Sequence, residues 1–231
     1  MIGLEEKFLK LISDKNLAIS DKPFFVENFI DIKNYISWNI LDEAINNNFV
    51  WWEIIDQTGN KIEIPNNVPF WFAPHVQQNK PFIIDFVKGG YTFVISKASI
   101  LNEKLKSLTS SIQHSFYVSA DIHIYGSKGS GVSFTPHADT PANFMIQVEG
   151  ETEWVVFKNR VSDLLNLNID NIPKNKLEPM LETKLKPGDL LYVPSRYYHC
   201  ALPKSPRMSI SIPCLPLNPA IIQTDTNIYK I

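Results

Sequence analysis

The sequence of 231 residues holds two cysteines, Cys200 and Cys214. Two thiols supply neither a disulfide framework nor a cysteine-based metal motif, and a reduced setting is the simplest expectation. Long apolar runs are missing too. No stretch approaches the roughly 20 residues that cross a bilayer. Charge of one sign is not in excess: Lys plus Arg is 22, Asp plus Glu is 24, and the net charge is −2. That balance lacks the broad electrostatic footprint of a nucleic-acid or anionic-membrane partner. The opening residues, Met1-Ile2-Gly3-Leu4-Glu5-Glu6-Lys7, are acidic where a secretory leader is basic and then apolar. Glycine is sparse, 9 residues beside 16 prolines. The prolines are scattered, so they punctuate turns rather than build a linker. No repeat of solenoid type is present. A soluble, cytoplasmic protein is expected.

What is there fits one domain with a real core, since 44% of residues are hydrophobic and 20% charged. Residues 4–12 carry apolar side chains at helical spacing, and 97–113 predict a second helix. Residues 1–80 form an N-terminal helical or lid region. Within it, Trp38, Trp51, Trp52 and Trp71 are expected to pack in the core. From Pro81 the texture changes. PFIIDFV and YTFVI read as strands, rich in aromatic and β-branched residues. Short apolar segments then follow at 116–125, 132–137, 143–149, 152–158, 182–186, 189–193, 197–202 and 207–212. This spacing predicts an antiparallel sandwich or barrel with helices before it, mainly β overall. Residues 81–213 are the barrel core and 214–231 a C-terminal extension. Residues 159–180 are a polar excursion with a short helix near Val161–Leu167.

One segment carries chemistry: Phe134-Thr135-Pro136-His137-Ala138-Asp139-Thr140. On a strand, residues i and i+2 share a face, so His137 and Asp139 present an imidazole and a carboxylate to one cavity. The best third ligand is His199, which follows Lys186-Pro187-Gly188-Asp189 and an apolar strand ending at Pro194-Ser195. Two histidines and a carboxylate suit iron(II) and leave three positions open on one side of the metal. A bidentate co-substrate takes two of them and dioxygen the third. His75 and His114 are isolated. His123, two residues before Tyr125, is a pocket-lining candidate rather than a ligand.

The run from Gly90 to Ile95, the helix after it, and DIHIYGSKGSGVSFTPHADTPANFMIQVEGETEWVVF resemble the JmjC-type oxygenases, in particular the ribosomal-oxygenase-like cupins. The HxD pair, Met145-Ile146-Gln147-Val148-Glu149-Gly150, Trp154, PGDLLYVP and His199 all fit that pattern, over roughly Pro81 to Pro213. The resemblance implies a double-stranded β-helix (cupin barrel) binding iron(II), with 2-oxoglutarate and dioxygen as co-substrates. It implies hydroxylation of a protein side chain or small molecule, or demethylation by the same chemistry. In the family a Lys two residues after the glycine pairs with the distal carboxylate of 2-oxoglutarate. Here that position is Thr152. Arg207, in Arg207-Met208-Ser209-Ile210-Ser211, lies where other such oxygenases carry an Arg-x-Ser clamp, and its fork suits a carboxylate. By the same resemblance, Tyr125 and Asn143 are co-substrate residues. Thr135 is a further candidate, and Trp154 packs the barrel. Two alternatives stand beside this reading: a cupin metal enzyme that does not use 2-oxoglutarate, and a non-enzymatic cupin binding module.

Overall fold

The computed structural model describes residues 4–15, 22–65, 78–129, 134–161, 176–203 and 206–217. Four α-helices lie in these residues: α1 (Leu4–Lys15), α2 (Ile40–Asn46), α3 (Lys80–Lys88) and α4 (Glu103–Phe116). The early strands are β1 (Phe24–Val26), β2 (Trp51–Ile55), β3 (Lys61–Ile62), β4 (Thr92–Ser96), β5 (Val118–Ala120) and β6 (His123–Ser127). The later ones are β7 (His137–Ala138), β8 (Ala142–Glu149), β9 (Thr152–Arg160), β10 (Pro179–Leu185), β11 (Leu190–Val193), β12 (Tyr197–Pro203) and β13 (Arg207–Pro216). The large sheet runs β1-β11-β8-β13-β6-β4-β2-β3, with β5 also on β13. The small sheet runs β10-β9-β12-β7.

The strongest strands are buried on both faces, and the two faces differ in chemistry. On β13, Met208, Ile210 and Ile212 join the main core with Leu105, Leu108 and Ile112 of α4 and Phe8 of α1. On β8, Phe144, Ile146 and Val148 join the same core. The alternate residues face the other way. There Met145, Leu191 and Val193 of the large sheet meet Trp154, Val156 and Ala201 of the small one. This second cluster is the filling between the sheets. Arg207, Ser209 and Ser211 share its face of β13 and are all buried.

Several sequence expectations change. PFIIDFV is not a strand but most of α3. Asn79 caps this helix by accepting from the Phe82 amide at 3.1 Å, Pro81 sits in the first turn, and Ile83 and Val87 are its buried pair. Those are helix-start and i,i+4 signals, and here they outweigh β-branched composition. The helix expected at 97–113 begins six residues later. Lys97 adopts φ 61, a short 3-10 turn covers Ala98–Ile100, and Asn102 caps α4 by accepting from the Leu105 amide at 2.9 Å. The region before Pro81 is not only helical, since β1, β2 and β3 extend the large sheet. Trp38 and Trp52 pack on Phe93 as expected, whereas Trp51 is exposed. Trp71, His75, 162–175 and 218–231 lie outside the described residues, as do 130–133 at the start of the expected 132–137 strand.

The β8–β9 turn is set by Gly150 at φ +68, against Pro206 and Arg207. A β-carbon there would lie 3.1 Å from the Arg207 Cα and collide with the Pro206 carbonyl. Gly150→Ala is therefore expected to cost about 2 kcal/mol or more. Urea unfolding tests this, as a lower midpoint at unchanged slope.

Candidate metal centre

The antiparallel register of β12 on β7 sets His199 opposite His137 and Tyr198 opposite Ala138. Ala138 and Tyr198 are buried with Phe157 and Cys200 on the outer face of the small sheet. That packing turns His137 and His199 to the inner face. Asp139 follows directly. Its carbonyl accepts from the Arg196 amide at 2.7 Å, and the Ser195 hydroxyl donates to the Thr140 carbonyl at 2.6 Å. Arg196 adopts φ 70, so a left-handed elbow between β11 and β12 clasps the end of the HxD segment.

One ligand atom each from His137, Asp139 and His199 lies within 4.8 Å of the others. His137 Nε2 is 3.9 Å from Asp139 Oδ1, and His199 Nε2 is 3.6 Å from Asp139 Oδ2. These gaps are too long for hydrogen bonds and short enough for one ion to span. Both rings are fixed by the other nitrogen. His137 Nδ1 is 2.9 Å from the Thr135 carbonyl, and His199 Nδ1 is 3.0 Å from the Tyr197 carbonyl. A carbonyl only accepts, so both rings carry Nδ1–H and offer the Nε2 lone pair inward. Asp139 is held in turn: Asn143 Nδ2 donates to Asp139 Oδ2 at 3.0 Å, and Ser211 Oγ donates to Asn143 Oδ1 at 3.2 Å.

Electrostatics agree with a metal. Burial, and then the neighbouring His137, push His199 down from near 6.5 to about 4, so its ring is neutral at physiological pH. His199 Nε2 is buried without a hydrogen-bond partner among the described residues. A neutral, orphaned imidazole nitrogen is costly unless it ligates. The donor set of two imidazoles and one carboxylate fits a divalent ion with open positions.

The other predicted residues lie on the face between the sheets. Tyr125 is opposite Ser209, and Asn143 is opposite Val193 and Pro213. Burial raises the Tyr125 phenol, with Asp139 and Glu53 adding to the effect, so it stays protonated. Arg207 is 2% exposed, and burial lowers it to about 10, which leaves it charged at neutral pH. Thr135 contributes its carbonyl, while the residue itself is exposed. His123 is half-buried, its pKa is lowered by burial, and it is not in the ligand cluster. His114 is exposed on α4. Sequence reading did not find the anchoring roles of Ser195 and Ser211. Ser211 had a signal, because it alternates in phase with Arg207. The Ser195 bond crosses between segments far apart in the chain and had none.

An antiparallel two-sheet barrel with an HxD pair starting on one strand and the third ligand on its neighbour defines a double-stranded β-helix of the two-histidine, one-carboxylate class. The JmjC domain family profile matches residues 96–219, more than half of the chain, and the protein belongs to that family. It is 25% identical over 186 residues to the bifunctional lysine-specific demethylase and histidyl-hydroxylase NO66 of Dictyostelium discoideum, covering 78% of this chain and 35% of the relative. It is 36% identical over 93 residues to human ribosomal oxygenase 1, covering 39% of this chain and 14% of the relative. The chain thus spans about a third or less of these relatives. The structure of YcfD, an Escherichia coli ribosomal oxygenase, in complex with cobalt and 2-oxoglutarate has the same fold. Its TM-score is 0.55 at 18% identity, covering 91% of this chain and 57% of that one.

Two outcomes follow. His199 has a lower pKa folded than unfolded, so the unfolded chain takes up the proton first. The metal-free protein is then most stable above about pH 6.5 and loses stability as pH falls towards about 4. Melting temperatures across that window test this, and His199→Leu should flatten the slope. Separately, Asn143→Ala frees the Asp139 carboxylate, and cobalt(II) titration should give roughly 10-fold or more weaker binding.

Proposed function

We propose that this chain is an iron(II)- and 2-oxoglutarate-dependent oxygenase that hydroxylates a carbon–hydrogen bond, with a protein side chain as substrate. The observation that carries the reading is the convergence of two fixed Nε2 lone pairs and one anchored carboxylate, with no fourth protein ligand among the described residues. His137, Asp139 and His199 would hold the metal. Bound there, iron(II) would supply the coupling of dioxygen to the decarboxylation of 2-oxoglutarate, giving succinate, carbon dioxide and a hydroxylated product, with one atom of the dioxygen in succinate and the other in the hydroxylated product.

The chain's own residues prepare the site. The carbonyls of Thr135 and Tyr197 hold the two rings by Nδ1–H. Asn143, oriented by Ser211, holds Asp139. Arg207 is the one buried Lys or Arg among the described residues and suits a distal carboxylate, and Tyr125 keeps its proton and can donate to the co-substrate. The cluster of Met145, Val156, Leu191, Val193 and Ala201 keeps water from the chamber. The relatives' names support a protein substrate, since one is called a histidyl-hydroxylase and another a ribosomal oxygenase. Two buried free cysteines support a reducing, cytoplasmic setting.

One observation favours a second reading, a cupin metal enzyme without 2-oxoglutarate: Thr152 stands where the family carries its lysine. Anaerobic titration separates the two. Iron(II) followed by 2-oxoglutarate should give a metal-to-ligand charge-transfer absorption. Arg207→Gln should abolish it at low millimolar 2-oxoglutarate while iron binding survives. A folded, iron-loaded wild type without that band supports the second reading.

A further inference from the structure

Among the described residues, buried side-chain atoms without a hydrogen-bond partner include Gln147 Oε1, Thr152 Oγ1, Trp154 Nε1, His199 Nε2 and Arg207 Nε. Such atoms are scarce in folded proteins, because each forfeits hydration with nothing in return. Here they form one track. Trp154 stacks beside the His199 ring, with centroids 6.1 Å apart and planes 29° off parallel. Thr152 is two residues along β9 on the same inner face and is 1% exposed. The Gly150 turn, which leads into Thr152, rests on Arg207. Gln147 pairs with Ser209 across β8 and β13, next to Arg207 on that face. These atoms therefore follow the inner face from the metal position, past Trp154, towards Thr152, Arg207 and Gln147.

Its chemistry is specific. Trp154 offers an N–H donor and nothing else, and Thr152 offers a hydroxyl. Arg207 offers a charged fork with donors to spare. Gln147 Nε2 is already committed to the Glu149 carbonyl at 2.8 Å, so its oxygen is left as an acceptor that a spare guanidinium N–H can serve. A carboxylate has about four lone-pair positions. The Arg207 fork fills two and leaves two for neutral donors. The charges also close: a divalent metal and Arg207 together balance Asp139 and a dicarboxylate. A lysine at 152 beside Arg207 would add an uncompensated buried charge.

Resting on the co-substrate reading above, we infer that Trp154 and Thr152 are co-substrate-binding residues, donating their indole N–H and hydroxyl to the distal carboxylate that Arg207 grips. Trp154 is thus not only barrel filling. It joins the metal end to the carboxylate end, its ring against His199 and its N–H towards the bound acid.

The test uses the full chain loaded anaerobically with iron(II). The charge-transfer band is followed with 2-oxoglutarate and with 2-oxobutyrate, which chelates alike but has no distal carboxylate. Trp154→Phe and Thr152→Val remove one donor each with little change of shape. Each is expected to weaken 2-oxoglutarate binding about 10- to 100-fold and to leave 2-oxobutyrate binding unchanged. Thr152→Ser should restore the wild-type value. Unchanged 2-oxoglutarate binding in both variants overturns the inference. So does equal weakening for both acids, which marks a packing role. A wild type that gives no band with either acid overturns the co-substrate reading itself, and the inference with it.

Discussion

The register of β12 against β7 is the constraint on which the site depends. It sets His199 opposite His137, so two imidazoles from distant parts of the chain meet across one strand pair. A slip by one residue would turn His199 to the outer face, where Tyr198 and Cys200 are packed. The outer packing thus fixes the inner chemistry. The Ser195–Arg196 elbow adds the third ligand to the same arrangement, because it fastens Asp139 and Thr140 to the loop that leads into β12. Each ligand is therefore positioned by backbone bonds as well as by its side chain, which is what a preorganised centre requires.

The second condition is a sheet that is buried on both sides for different reasons. One face of β8 and β13 is apolar and holds the helices. The other carries Asn143, Gln147, Arg207, Ser209 and Ser211 at low exposure. Polar residues at such depth lower stability unless something completes their bonding. Asn143 and Ser211 are completed within the protein, and that chain ends at Asp139. Arg207, Thr152 and Trp154 are not, among the described residues. Rigid ligand support and open ligand-binding capacity are thus adjacent on one sheet face.

Much of this was legible in the sequence. The HxD pair, the distal histidine and the PGDLLYVP lead-in identify the centre because strand alternation is a local rule. The same rule gave Arg207, Ser209 and Ser211 a common face. Asp189 of the PGD turn proved to be scaffold: its carboxylate accepts from the amides of Asn28 and Lys186. What stayed hidden depends on contacts between distant segments or on close competition between local signals. PFIIDFV carries strand composition with helix capping, and the cap won. Trp154 reads as core by its size. Only its unsatisfied N–H beside His199 distinguishes it from an ordinary core residue.

Exposure along the chamber is uneven. The side chains of His137 and Asp139 are 34% and 39% exposed, while Arg207 and Thr152 are 2% and 1% exposed. The metal end of this face is open to solvent and the cation end is covered. On the proposed reading, an acid held by Arg207 would enter past the metal before a protein substrate covered that end, and its shortened product would leave after the modified protein.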